Sequence, residues 1–138
     1  MDKQIELACI IDDDKIYVNL VKRIIETRHL CNNLLIFKDG TDALTYFETL
    51  LNHMDQDSIP EIIFLDLNMP IMDGWEFLEG FTKIKNKFGK VITLYIVSSS
   101  IDPNDIERAR GIQSVKDYLV KPVTIKELES IFHDTIKQ

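Results

Sequence analysis

Five short apolar runs alternate with five longer stretches whose apolar residues recur every three or four positions. This alternation restricts the fold more than any other feature of the chain. Ile5 to Ile11 is the first run. Behind it, Ile16, Leu20, Ile24 and Tyr17, Val21, Ile25 form rows four apart, the spacing of one apolar helix face, and Asp13 or Asp14 stands where a cap is needed. Asn33 to Phe37 follows, then a second helical stripe of Ala43, Leu44, Phe47, Leu50, Leu51 and Met54. Ile62 to Leu65 precedes a stripe of Phe77, Leu78, Phe81 and Ile84, with Asp73-Gly74 as turn and helix start. Val91 to Val97 is followed by Asp102-Pro103, an N-cap with proline at the first helical position, and by a thin stripe of Ile106 and Ala109. Val115 to Leu119 leads to a last helix marked by Ile125, Leu128, Ile131, Phe132 and Thr135.

Apolar runs of this length, each followed by a helix after a short connection, are the strands of a parallel sheet covered on both faces. Right-handed crossovers then leave few topologies, and the expected fold is α/β: a doubly wound five-stranded parallel sheet of order 2-1-3-4-5, flavodoxin-like. The 138 residues are consumed by one such unit, so a single domain over 1–138 is expected. A net charge of −7 argues against DNA as a partner, because phosphate binding needs clustered Lys and Arg. No apolar stretch is long enough to span a bilayer, and the acidic N-terminus is not a signal peptide. Cys9 and Cys31 form no spacing motif. Together these point to a cytoplasmic, reduced compartment.

In an open parallel sheet, ligands bind beyond the carboxyl ends of the strands. There the chain places Asp12-Asp13-Asp14 after the first strand, Asp66 after the third, Ser98-Ser99-Ser100 after the fourth, and Lys121-Pro122 just past Tyr118 and the fifth. Strands one and three are neighbours in the expected order, so Asp12, Asp13 and Asp66 meet. Two like charges ~4 Å apart repel by ~4 kcal/mol at an effective dielectric of ~20, so such a cluster raises its own pKa values or recruits a cation. Carboxylates without His or Cys favour Mg²⁺ or Ca²⁺ over zinc, and Mg²⁺ commonly bridges carboxylates to a phosphate. Asp66 is then a nucleophile toward phosphorus, with Lys121 and a Ser98 hydroxyl free to meet the phosphoryl oxygens.

The motifs "IIDDD", "FLDLNMPIMDG", "IVSSS" and "DYLVKP", in that order over nearly the whole chain, resemble the receiver domain of two-component response regulators. The resemblance implies a signalling module, not an enzyme beyond its own phosphorylation and dephosphorylation. It implies that Asp66 accepts a phosphoryl group from a histidine kinase or phosphotransfer protein. It implies that Asp12, Asp13, Asp66 and the Asn68 backbone carbonyl hold Mg²⁺, with Asp12 acting mainly through water. Ser98 and Tyr118 stand at the switch positions, Ser99 at the small residue that leaves access, and Lys121 at the family's lysine. The Lys121-Pro122 bond is implied to be cis. A downstream protein is expected at the face of the fourth helix, fifth strand and fifth helix, and a homodimer is left open.

Departures from the family are mild. Ser98 replaces the commoner threonine, the region Asp39 to Pro60 is long, and Lys83 to Lys90 is extended and basic, leaving both segments open as partner surfaces. His29, His53 and His133 have no ligand spacing and read as surface residues, and Trp75 has no assigned role. Two other functions stay open on residues alone. Asp12-x-Asp14 fits the acid spacing of haloacid-dehalogenase-type hydrolases, although the chain is short for one. A binding module that is never phosphorylated is the third reading.

Overall fold

The structure, a computed structural model, describes residues 4–53 and 55–137. Five strands, β1 (Ile5–Ile11), β2 (Cys31–Phe37), β3 (Ile62–Leu65), β4 (Thr93–Ser98) and β5 (Val115–Val120), form one parallel sheet of order β2-β1-β3-β4-β5. Five helices alternate with them: α1 (Lys15–Thr27), α2 (Gly40–Leu50), α3 (Gly74–Ile84), α4 (Pro103–Arg110) and α5 (Ile125–Ile136). The expected topology is the observed one.

Successive residues of a strand face opposite sides, so each central strand feeds two cores. Cys9 and Ile11 of β1, Ile63 and Leu65 of β3, and Leu94 and Ile96 of β4 pack on the side of α2, α3 and α4. Ala8 and Ile10, Ile62 and Phe64, and Tyr95 and Val97 pack on the side of α1 and α5. The first core is aromatic. Phe47 has no exposed surface and its ring lies 6.1, 5.2 and 5.9 Å from those of Phe77, Phe81 and Phe88. Burying one such ring stabilises the fold by about 1.5–3 kcal/mol.

Several expected boundaries move. In α1 the buried residues are Val18, Val21 and Ile25, whereas Ile16 and Leu20 are 85% and 50% exposed. Two rows of apolar residues were available and α1 buries only the side that meets the sheet, so Ile16 and Leu20 are left in solvent. β2 starts at Cys31, two residues before the expected Asn33, because its pairing with β1 begins at Ile5–Cys31. β4 starts at Thr93; Val91 precedes the ladder and is 71% exposed. β5 runs one residue further, to Val120. Met54, placed in the second stripe, lies outside the described residues.

The two long segments have structural uses. α2 is followed by a 3-10 turn, Gln56–Ser58. The basic stretch after α3 forms a second 3-10 turn, Lys85–Phe88, which drives Phe88 into the core. From its end the Lys90 ammonium donates to the carbonyls of Gln56 and Ile59, both at 2.9 Å. The two segments brace each other.

Candidate functional site

The sheet ladder itself carries the two buried acids. The Asp12 N–H donates to the Phe37 carbonyl at 2.9 Å, and the Asp66 N–H donates to the Ile11 carbonyl at 2.8 Å. Each acid is thus one hydrogen bond beyond its strand, held as firmly as a strand residue. Asp12 is 4% exposed and Asp66 5%. The chain leaves the sheet only afterwards. Asp13 is exposed. Asp14 accepts from the Tyr17 N–H at 3.2 Å and so caps α1, as expected, while its own N–H donates to Asp12 Oδ1 at 2.8 Å.

One carboxylate oxygen from each of Asp12, Asp13 and Asp66 lies within 4.8 Å of the others. Among the described residues no other group of three His, Cys, Asp or Glu side chains converges in this way. Asp14 is outside the cluster, so the Asp12-x-Asp14 pairing of a haloacid-dehalogenase-type site is not what the fold assembles. The donors are all hard oxygens, two of them on rigid strand ends, which fits a small divalent cation such as Mg²⁺.

Lys121 opposes this charge. Its ammonium lies 2.9 Å from Asp12 Oδ2 and 3.9 Å from Asp66 Oδ2, with 13% of the side chain exposed. On residues alone Lys121 pairs with Asp66 or with a phosphoryl oxygen; here Asp12 is its first partner. The loop holding it is tied back by the Lys121 N–H, which donates to the Ser98 carbonyl at 2.9 Å; the Lys121–Pro122 bond is cis, as expected. Three carboxylates against one ammonium leave the pocket negative. Burial pushes the Asp66 carboxyl up to about 6, helped by the charge of Asp12 and opposed by Lys121 and by the Asn68 N–H donating to it. Burial also raises Asp12, against the pull of Lys121.

The remaining candidates sit around this core. Asn68 is exposed in the loop after β3 and Ser99 is exposed after β4. Ser98 is the last residue of β4 and fully buried, and its Oγ accepts from the Ser100 N–H at 3.1 Å. Tyr118 is 6% exposed and its hydroxyl donates to the Ser100 carbonyl at 2.8 Å. The Ser100 hydroxyl donates to Asp105 in the first turn of α4 at 2.7 Å. Ser98, Tyr118 and α4 therefore meet at one residue, Ser100, which the sequence suggests only as a site of rate tuning and not as part of the switch.

Two more residues escape a reading of motifs. Gly74 opens α3 where a better helix former was available. A Cβ there would collide with the Asp66 carbonyl oxygen and come within 2.7 Å of Leu67 Cα. The close approach is sealed by the Gly74 N–H donating to the Leu67 carbonyl at 2.9 Å. Glycine here seats α3 against the Asp66 turn, and its poor helix propensity was the available signal. Tyr17, read as a stripe residue, places its ring 4.5 Å from the Lys121 ammonium.

The family model described as "Response regulator receiver domain" matches residues 8–133. The chain belongs to the response regulator receiver domain family. The receiver domain is 27% identical to response regulator Rcp1 of Synechocystis, over 89% of this chain and 81% of that protein. It is 35% identical to the sensor histidine kinase CheAY of Helicobacter pylori over 72% of this chain, which spans only 12% of that much longer protein. A crystal structure of a two-component response regulator from Cytophaga hutchinsonii superposes with a TM-score of 0.83 at 28% identity, covering 99% of this chain and 100% of that one. The receiver domain is a component of two-component signalling. Among its described residues no helix is long and apolar enough to cross a membrane.

Proposed function

We propose that Asp66 is the phosphoacceptor of this receiver domain, and that its phosphorylation by a histidine kinase or phosphotransfer protein in the cytoplasm depends on Mg²⁺. The single observation carrying this reading is the seat of Asp66: a buried carboxylate on a strand end, with Asp12 and Asp13 within 4.8 Å and the Lys121 ammonium 3.9 Å away. An Asp66 carboxylate oxygen attacks phosphorus, the bond from phosphorus to the donor's histidine nitrogen breaks, and that nitrogen keeps the electron pair. The product is an acyl phosphate on Asp66.

Asp12, Asp13, Asp66 and the Asn68 carbonyl are the groups that would hold Mg²⁺, which supplies positive charge to the phosphoryl oxygens when bound. Lys121 is within reach of the same oxygens, having only to shift from Asp12 toward Asp66. Ser98 turns its hydroxyl from the Ser100 N–H to the phosphoryl group. That exchange disturbs Ser100, and with it the Tyr118 hydroxyl and Asp105. The signal thereby reaches the surface of α4, β5 and α5, where a downstream protein or a second copy binds. Residues 1–138 act as one receiver unit.

The test is intact mass spectrometry after incubation with Mg²⁺ and acetyl phosphate. The expected result is a gain of about 80 Da, one phosphoryl group, that is lost in Asp66→Ala and on chelation of Mg²⁺. An equal adduct in Asp66→Ala would overturn the assignment.

A further inference from the structure

Tyr17 occupies a place that neither the acid cluster nor the switch residues explain. It lies on α1, half-buried, and touches the loop after β5 twice. Its ring faces the Lys121 ammonium at 4.5 Å from the centroid. Its hydroxyl is hydrogen-bonded by the backbone of Val123, two residues further on. Burial raises the Tyr17 hydroxyl pKa, with the charges of Asp12 and Asp66 adding to the effect, which puts this side chain at the edge of the anionic pocket.

A lysine ammonium is a point charge on a flexible four-carbon stem. Three neighbours fix it here: Asp12 at 2.9 Å, Asp66 at 3.9 Å and the Tyr17 ring. Two of the three are carboxylates that would also serve a divalent cation. A cation taking up Asp12 and Asp66 weakens both of those holds on Lys121, while the aromatic face is untouched by it. The face of an aromatic ring attracts a cation through its quadrupole, more strongly when the cation is desolvated, as this one largely is.

We propose that Tyr17 is a positioning residue for Lys121: its ring keeps the ammonium beside Asp66 when the acid cluster is engaged by a cation. This rests on the phosphoacceptor reading of Asp66. Loss of the ring lets Lys121 wander toward solvent, so phosphorylation slows, while the oxygen ligands of the cation are unchanged.

The experiment compares wild type, Tyr17→Phe and Tyr17→Leu. Phe keeps the ring and loses the hydroxyl; Leu keeps apolar bulk and loses the ring. The rate of Asp66 phosphorylation by acetyl phosphate is expected to fall roughly tenfold in Tyr17→Leu. Tyr17→Phe should rescue most of that loss, with Mg²⁺ affinity by calorimetry equal in all three. A second readout needs no phosphorylation: the Lys121 Cε protons should show an upfield ring-current shift by NMR in wild type and Tyr17→Phe that vanishes in Tyr17→Leu. Equal rates in the three proteins would overturn the proposal, as would a Phe variant as slow as the Leu variant, or a missing ring-current shift. A wild-type protein that takes up no phosphoryl group would instead sink the reading of Asp66, and the ring-current comparison would still decide whether Tyr17 holds Lys121.

Discussion

α3 and α4 pack on the same face of the sheet and are held there by opposite means. α3 buries Phe77, Leu78 and Phe81, closes its start with a capping box of Asp73 and Glu76, and presses Gly74 against the Asp66 turn. α4 has eight residues and buries only Ala109, with Ile106 half-buried. Its other ties are polar or electrostatic: Ser100 to Asp105 at 2.7 Å, Arg108 over the Trp75 ring at 4.0 Å, and Arg110 to Asp117 at 3.8 Å. The last pair is well exposed and contributes little. The helix that seats Asp66 is thus fixed by apolar burial, while α4, part of the proposed response surface, hangs on contacts of small energy. An element that must change place for a signal is drawn from the weakly held end of the molecule.

The contrast breaks most sharply under truncation. Phe81→Ala should cost about 3–5 kcal/mol in urea unfolding, because a ring with no exposed surface leaves a cavity among Phe47 and Phe77. Ile106→Ala in α4 should cost about 1 kcal/mol, since less area leaves a half-buried site. Similar losses at the two positions would mean that α4 is anchored as firmly as α3.

The buried acid offers the next largest effect. Below about pH 4 Asp66 is protonated in both folded and unfolded chains. As pH rises through about 6, the folded protein must ionise a carboxyl that burial and Asp12 hold up, whereas the unfolded chain has already done so at little cost. Stability is therefore lost between about pH 4 and 6. The raised value, which already includes the opposing pull of Lys121, is worth on the order of 3 kcal/mol at most, because solvent at the mouth of the pocket screens it. Asp66→Asn is expected to be about 1–3 kcal/mol more stable than wild type at pH 7 without added cation, and no more stable at pH 4. Denaturant titrations at the two pH values check this; a gain that persists at pH 4 would place its cause elsewhere.

What could be read in advance follows the same division. Strand order, the acid triad and the caps of α1 and α4 are local patterns repeated at known spacings, so Asp12, Asp66, Asp14 and Asp102 were legible from neighbours alone. The partner of Lys121 was not, because Asp12 and Asp66 flank it almost equally and only side-chain geometry separates 2.9 from 3.9 Å. Ile16 and Leu20 fitted a helical stripe as well as Val21 and Ile25 did, and periodicity does not say which row meets the sheet. Gly74 and Ser100 matter through backbone atoms, which residue type hardly encodes. Phe88 reaches the core from a 3-10 turn within a run of lysines, a place where polarity suggested surface.

Ser100→Ala tests the junction at smaller scale. It removes the bond to Asp105 and the one the Ser100 Oγ accepts from the Asp102 N–H at 3.3 Å, while leaving the backbone groups that meet Ser98 and Tyr118. A loss of about 0.5–1.5 kcal/mol is expected. It should appear in native-state hydrogen exchange as faster opening of α4 with α3 unchanged. Equal acceleration of both helices would show that Ser100 supports the fold generally and is no specific tie of α4.

The smallest effect sharpens the comparison furthest. Arg108 is exposed and its guanidinium covers Trp75 in the first turn of α3, so this contact ties a side chain of each helix across their open groove. Arg108→Ala should lower global stability by only about 0.5–1 kcal/mol, the range of an exposed cation–π pair. Trp75 is the chain's one tryptophan, so its emission reports this contact without interference from another indole. Removing the guanidinium exposes the ring, and the emission should move to longer wavelength. If α4 shifts on phosphorylation, wild-type emission should move the same way with acetyl phosphate and Mg²⁺, and Arg108→Ala should give almost no further change. A full phosphorylation-dependent shift in Arg108→Ala would mean that Trp75 senses the Asp66 turn through α3 itself, and the division between a fixed α3 and a yielding α4 would have to be abandoned.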